Sequence, residues 1–149
     1  ENVRTFVADY WTLEYDLAHA GLGRALHSAI ALARREATLA RKGATFPEEQ
    51  KSAVTAAAEG SWTALKGEAD GREDAREYLA YKLYEPLLGN LSKPVIAQYM
   101  AALMVSGTME EVVPSIPPYI KRAIAYVTGN DTAEGPAGQV TNNQGIVAP

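Results

Sequence analysis

The chain has 149 residues, no cysteine, a hydrophobic share of 47% and a formal net charge of −4. That length suits about one domain with a real core, and the missing thiols exclude a disulfide framework and a thiolate metal site. The acidic balance argues against a dedicated nucleic-acid domain, and no apolar run reaches the roughly 18 residues of a membrane span. No signal peptide is visible, so a soluble, cytoplasmic protein is the default expectation. Any metal would rest on oxygen ligands or on His19 and His27, and oxygen ligands favour magnesium, manganese or calcium over zinc.

Val3, Thr5, Phe6 and Val7 are β-formers, and the spacing predicts a short strand over 3–8 that Asp9 ends. Glu1 is no initiator methionine and a lone strand leaves its backbone unpaired. The chain therefore reads as a piece of a longer protein with sheet partners upstream. Thr12 suits a helix cap, which puts Glu14 in the first turn, where its charge complements the dipole. Gly21 and Gly23 mark a bend. From Arg24 to Arg41, Leu26, Ile30, Ala33, Ala37 and Ala40 form one helical stripe, which Lys42 and Gly43 stop. Thr45, Pro47, Glu48 and Glu49 start another helix with Val54, Ala58, Trp62 and Leu65 on its face. A third opens at Asp70 or Gly71 and carries Leu79, Leu83 and Leu87, with Pro86 near its end. Three helices with short links predict a small bundle.

Ser92 and Pro94 start the next helix, with Val95, Ile96, Tyr99, Met100 and Leu103 buried and Ser106-Gly107 ending it. Thr108 and Glu111 offer a capping box. Pro114 to Pro118 is a rigid connector, and a last helix carries Ile120, Ala123, Ile124 and Val127 up to Gly129. Beyond Gly129 few large apolar residues remain, so a mobile tail is expected.

Three groups of residues carry possible chemistry. Asp9, Glu14 and Asp16 gather at the strand-to-helix junction, where carboxylates either cap a helix or hold a hard cation. Residues two apart on a helix do not face the same way, so Glu14 and Asp16 cannot easily share one ion. Lys93 at a helix start combines its charge with free backbone N–H groups, which suits a phosphate, or is an ordinary surface lysine. Between Arg24 and Lys42, five cations face one anion, a local charge of +4. That helix is either a solvated face or a surface that touches phosphate, with Arg34, Arg35, Arg41 and Lys42 as candidate DNA contacts. His19 and His27 read as structural or surface residues, and Trp11, Trp62 and the tyrosines as packing residues. There is no glycine-rich phosphate loop, Ser-His-Asp pattern or HExxH motif.

Phe6-Val7-Ala8-Asp9 followed by Thr12-Leu13-Glu14-Tyr15-Asp16-Leu17-Ala18 resembles the last part of the Toprim nuclease domain in the OLD (overcoming lysogenization defect) family of ATP-dependent endonucleases. Ser92-Lys93-Pro94-Val95-Ile96-Ala97-Gln98 resembles that family's late lysine motif, and Ile116 to Val127 its closing helix. The resemblance implies a partial Toprim α/β fold: mainly α, a helical bundle with one N-terminal β-strand, carrying a helical insertion. Residues 1–23 would be the Toprim strand and metal-site turn, 24–90 the insertion, 91–128 the lysine helix and closing helix, and 129–149 a disordered tail. It implies Glu14 as a metal ligand, Asp16 and Asp9 as further candidates, and Lys93 as the lysine near the scissile phosphate. It implies Mg2+ or Mn2+ in a two-metal site completed outside this chain, ATP only in an absent ATPase domain, and DNA as partner. The early Toprim glutamate and the Asp-x-Asp strand are absent, and Pro94 stands where a small residue is expected.

The leading expectation is the C-terminal segment of a metal-dependent DNA endonuclease, inactive when isolated because most metal ligands are missing. The alternative is a non-catalytic helical module for dimerisation or partner docking, motivated by the alanine-rich stripes between Arg24 and Leu65.

Overall fold

Residues 3–8 carry no regular secondary structure in the computed structural model, which describes residues 3–105 and 112–130. The expected N-terminal strand and partial Toprim α/β fold are therefore corrected: the described residues form helices, with no strand or sheet among them. β-forming side chains do not make a strand alone, because the ladder needs a neighbour to bond to. This segment instead lays Phe6 against Tyr126, with ring centroids 5.9 Å apart, and Arg4 over the same ring at 5.1 Å. Val3 and Val7 stay exposed. The helical-bundle half of the expectation fits.

Thr12 caps the first helix, α1 (Leu13–Leu17), its hydroxyl accepting the Tyr15 N–H at 3.3 Å. A π-helical turn, Ala18–Leu22, follows, and Gly21 bends it with φ 121°, a region that favours glycine. α2 (Gly23–Ala40) is the central helix, packing against α5 and α3. Its stripe is buried at Leu26, Ala29, Ile30 and Ala33 and fades toward Ala40, which is exposed.

α3 (Glu48–Ala69) starts after Pro47 rather than at Thr45. Its Trp62 and the α4 residue Leu83 close on Gly23, where an added Cβ would meet them at 2.9 and 3.2 Å. α4 (Ala75–Tyr84) begins later than Asp70 or Gly71, after a turn in which Arg72 bonds both oxygens of Asp74. Pro86 sits in a 3₁₀ turn, Glu85–Leu88, where its missing N–H costs little.

α5 (Lys93–Val105) buries Ile96 and Met100 against α2. The core is thus Leu22, Leu26, Ala29, Ile30 and Ala33 with Leu83, Leu87, Ile96 and Met100. α6 (Pro118–Val127) differs from its expected stripe: Tyr119 is buried, while Ile124 and Val127 are exposed. The Ser106-Gly107 stop, the Thr108–Glu111 capping box and the tail beyond Asn130 lie outside the described residues.

Candidate functional site

The site is built on the loop before α1. Asp16 is 2% exposed and turns its carboxylate back into that loop. One oxygen accepts the N–H of Asp9 at 2.8 Å and, more weakly, that of Tyr10 at 3.4 Å. The other accepts the N–H of Trp11 at 3.2 Å. A buried carboxylate is costly without such donors, and these donors in turn fix the loop. Asp16 therefore serves as the loop's anchor, and its oxygens are committed to backbone.

Glu14, two residues earlier, points elsewhere, as helix geometry requires. Its carboxylate meets the Lys93 ammonium at 2.9 Å, so the first motif and the late lysine, about eighty positions apart in the chain, touch in the fold. The contact follows from packing: α5 lays Ile96 and Met100 over Leu26 beside Leu17, and that brings its first residue to α1. A recess of about 290 Å³ lies there, lined by Leu13, Leu17, Leu26, Ile96 and Met100 as well as by Glu14 and Lys93. Partial burial pushes the Glu14 carboxyl up. The Lys93 hydrogen bond, Glu14's own backbone N–H, the Lys93 charge and the Thr12 hydroxyl more than offset that, holding it below the ordinary carboxylate value.

The closing helix arrives at the same end. Arg122 reaches the Asp9 carboxylate at 3.7 Å. Tyr119 is buried beside the acids, and its phenol is pushed up by burial first and then by the charges of Asp16, Asp9 and Glu14. All three stretches of the resemblance thus converge on one surface. The sequence marks Tyr119 only as a packing residue and gives Arg122 no chemical role. Their spacing of three on one helical face was the available signal.

As a metal site, this surface is incomplete by itself. Magnesium takes one or two carboxylates plus water and substrate phosphate. Here Asp16 is spent on backbone, Asp9 faces Arg122, and Glu14 faces Lys93. Among the described residues no group of three or more His, Cys, Asp or Glu is arranged to hold an ion.

The basic residues of α2 stand apart. Arg34, Arg35, Arg41 and Lys42 are exposed, with Arg35 donating to the Gln50 side chain at 3.3 Å. Arg41 lies roughly 25 Å along the helix from the end that meets α1. His27 bonds Ser61 at 2.7 Å and His19 touches Glu77 at 3.4 Å, which are structural contacts. No described helix is long and apolar enough to cross a membrane. No protein-family profile, no curated protein and no solved structure matches this chain.

Proposed function

We propose that this chain is the C-terminal segment of the nuclease region of an OLD-like ATP-dependent DNA endonuclease, with Glu14 and Lys93 at its phosphodiester site. The observation that carries the reading is the 2.9 Å Glu14–Lys93 contact, which unites the two motifs with the strongest chemical content. The proximity of Tyr119 and Arg122 from the third motif supports it.

In this reading Lys93 sits beside the scissile phosphate. Its ammonium stabilises the negative charge that builds on the phosphoryl oxygens during attack. Glu14 would offer one carboxylate toward a divalent ion, Mg2+ or Mn2+, whose remaining ligands would have to come from outside this chain. Such an ion would supply a lowered water pKa and a clamp on the attacking and leaving oxygens. Asp16 acts indirectly, by holding the loop that carries Asp9.

The test uses the longer protein that contains this segment. Glu14→Ala and Lys93→Ala should each lower DNA cleavage by on the order of a hundredfold or more, with ATP hydrolysis and helix content unchanged. Cleavage that persists in both variants would remove the reading. The isolated chain should be inactive, and a metal-dependent nicking activity lost on Glu14→Ala would contradict that expectation.

A second reading is a non-catalytic helical module. It draws on Ala53, Ala56, Ala57 and Gly60, small residues exposed on α3 that allow close approach of another helix. Light scattering separates the two: a tight dimer disrupted by Ala57→Glu favours the module. DNA contact through Arg34, Arg35, Arg41 and Lys42 requires affinity that falls steeply with salt.

A further inference from the structure

A second recess, of about 560 Å³, opens between the 9–11 loop with α1 on one side and α4 on the other. Aromatic rings dominate it. Trp11 is 56% exposed and Tyr81 47%, with Tyr15 and Tyr78 lining the same walls. Large apolar side chains grouped on a surface mark contact sites more often than scattered ones do. The two charged residues that line the recess, Asp74 and Glu77, are both acidic.

Aromatic faces are electron-rich, so rings and carboxylates together attract a cation. The chain itself demonstrates the chemistry on this wall. Arg72 lies over the Tyr78 ring at 4.3 Å while its guanidinium fork donates to both Asp74 oxygens at 2.8 and 3.0 Å. One turn further along α4, Glu77 has the same setting of acid beside rings. It meets His19 at 3.4 Å and is more than half exposed. Its own backbone N–H and then His19 hold its carboxyl below the ordinary value, so it is charged at neutral pH. Tyr81 stands four residues on, on the same helical face.

We propose that this recess binds an arginine side chain presented by a basic peptide segment of a partner protein, with Glu77 taking the guanidinium fork and Trp11 and Tyr81 flanking its plane. Arginine suits it better than lysine because a planar guanidinium stacks on rings and bonds a carboxylate through two donors at once. A nucleic-acid strand is disfavoured, since its phosphates would approach the exposed Glu77 carboxylate, while Asp74 is already held by Arg72. The recess is open to solvent, which fits a side chain carried on a peptide rather than an enclosed small molecule.

The experiment titrates the full chain with a short capped oligo-arginine peptide, reading tryptophan fluorescence and heat. Saturable binding is expected, weakened at least about fivefold in Glu77→Gln and in Trp11→Ala, consistent with loss of one partner of an ion pair or ring contact. Glu49→Gln on α3 should leave it unchanged, and an oligo-lysine peptide should bind more weakly. Glu77 is exposed, so its variant should keep the wild-type circular dichroism. Absence of saturable binding, equal affinity in Glu77→Gln, or tighter binding of a single-stranded oligonucleotide would each overturn the proposal.

Discussion

Asp16 and Glu14 show how two like residues two positions apart take opposite roles. The helix turns them about 200° from one another, so one enters the loop and the other meets Lys93. The spacing told that they could not easily share an ion; it did not tell which of them the fold would bury. Asp16→Asn should destabilise the chain by about 1–3 kcal/mol, because an amide NH₂ would face backbone N–H donors where an acceptor is needed. Urea denaturation checks it, and an unchanged midpoint would remove the anchoring role.

His27 gives a pH prediction. Burial first, then the Arg34 charge, lowers its pKa from the ordinary 6.5, and Glu59 only partly opposes this. The folded state therefore prefers neutral His27. As pH falls below about 6.5 the unfolded chain takes up its proton first, so stability drops until the folded residue also protonates. His27→Gln should flatten thermal stability across that window.

Among the elements, helix existence was legible and strand existence was not. The α2 stripe and the Thr12 cap depend on residues within a few turns, which the sequence displays directly. A strand depends on a neighbouring strand, and none lies beside residues 3–8 among the described residues. The last helix was legible in position but not in facing, since Ile124 and Val127 stay exposed while Tyr119 turns toward the acids. The bend at Gly21–Gly23 was legible as a break, but its use as a packing point was not. Gly23→Ala should cost about 1–3 kcal/mol, because the new methyl group would press on Trp62 and Leu83 at the junction of three helices. Thermal denaturation reads this, and Gly60→Ala, with open space around it, is the control that should not destabilise.

In the molecule as a whole, one helix organises both the core and the site. α2 gathers α3 and α5, and the α2–α5 contact carries Lys93 to Glu14. Leu26 belongs to that contact and is 1% exposed. Leu26→Ala should therefore cost about 2–5 kcal/mol and also loosen the ion pair. The candidate site was legible as motifs in order. The aromatic recess was not, because Trp11 and Tyr81 come together only through tertiary packing, and their types alone suggest core.

The Glu14–Lys93 contact joins the first motif to the late lysine. Titrating the Glu14 carboxyl by ¹³C NMR, in the native chain and in Lys93→Met, tests it most directly. Glu14 should titrate below 4.5 in the native chain, so the pair's stabilisation is present above that pH and is lost as pH falls through the folded value. Without the ammonium the titration should move upward. An identical curve in both chains would contradict the contact and, with it, the shared site.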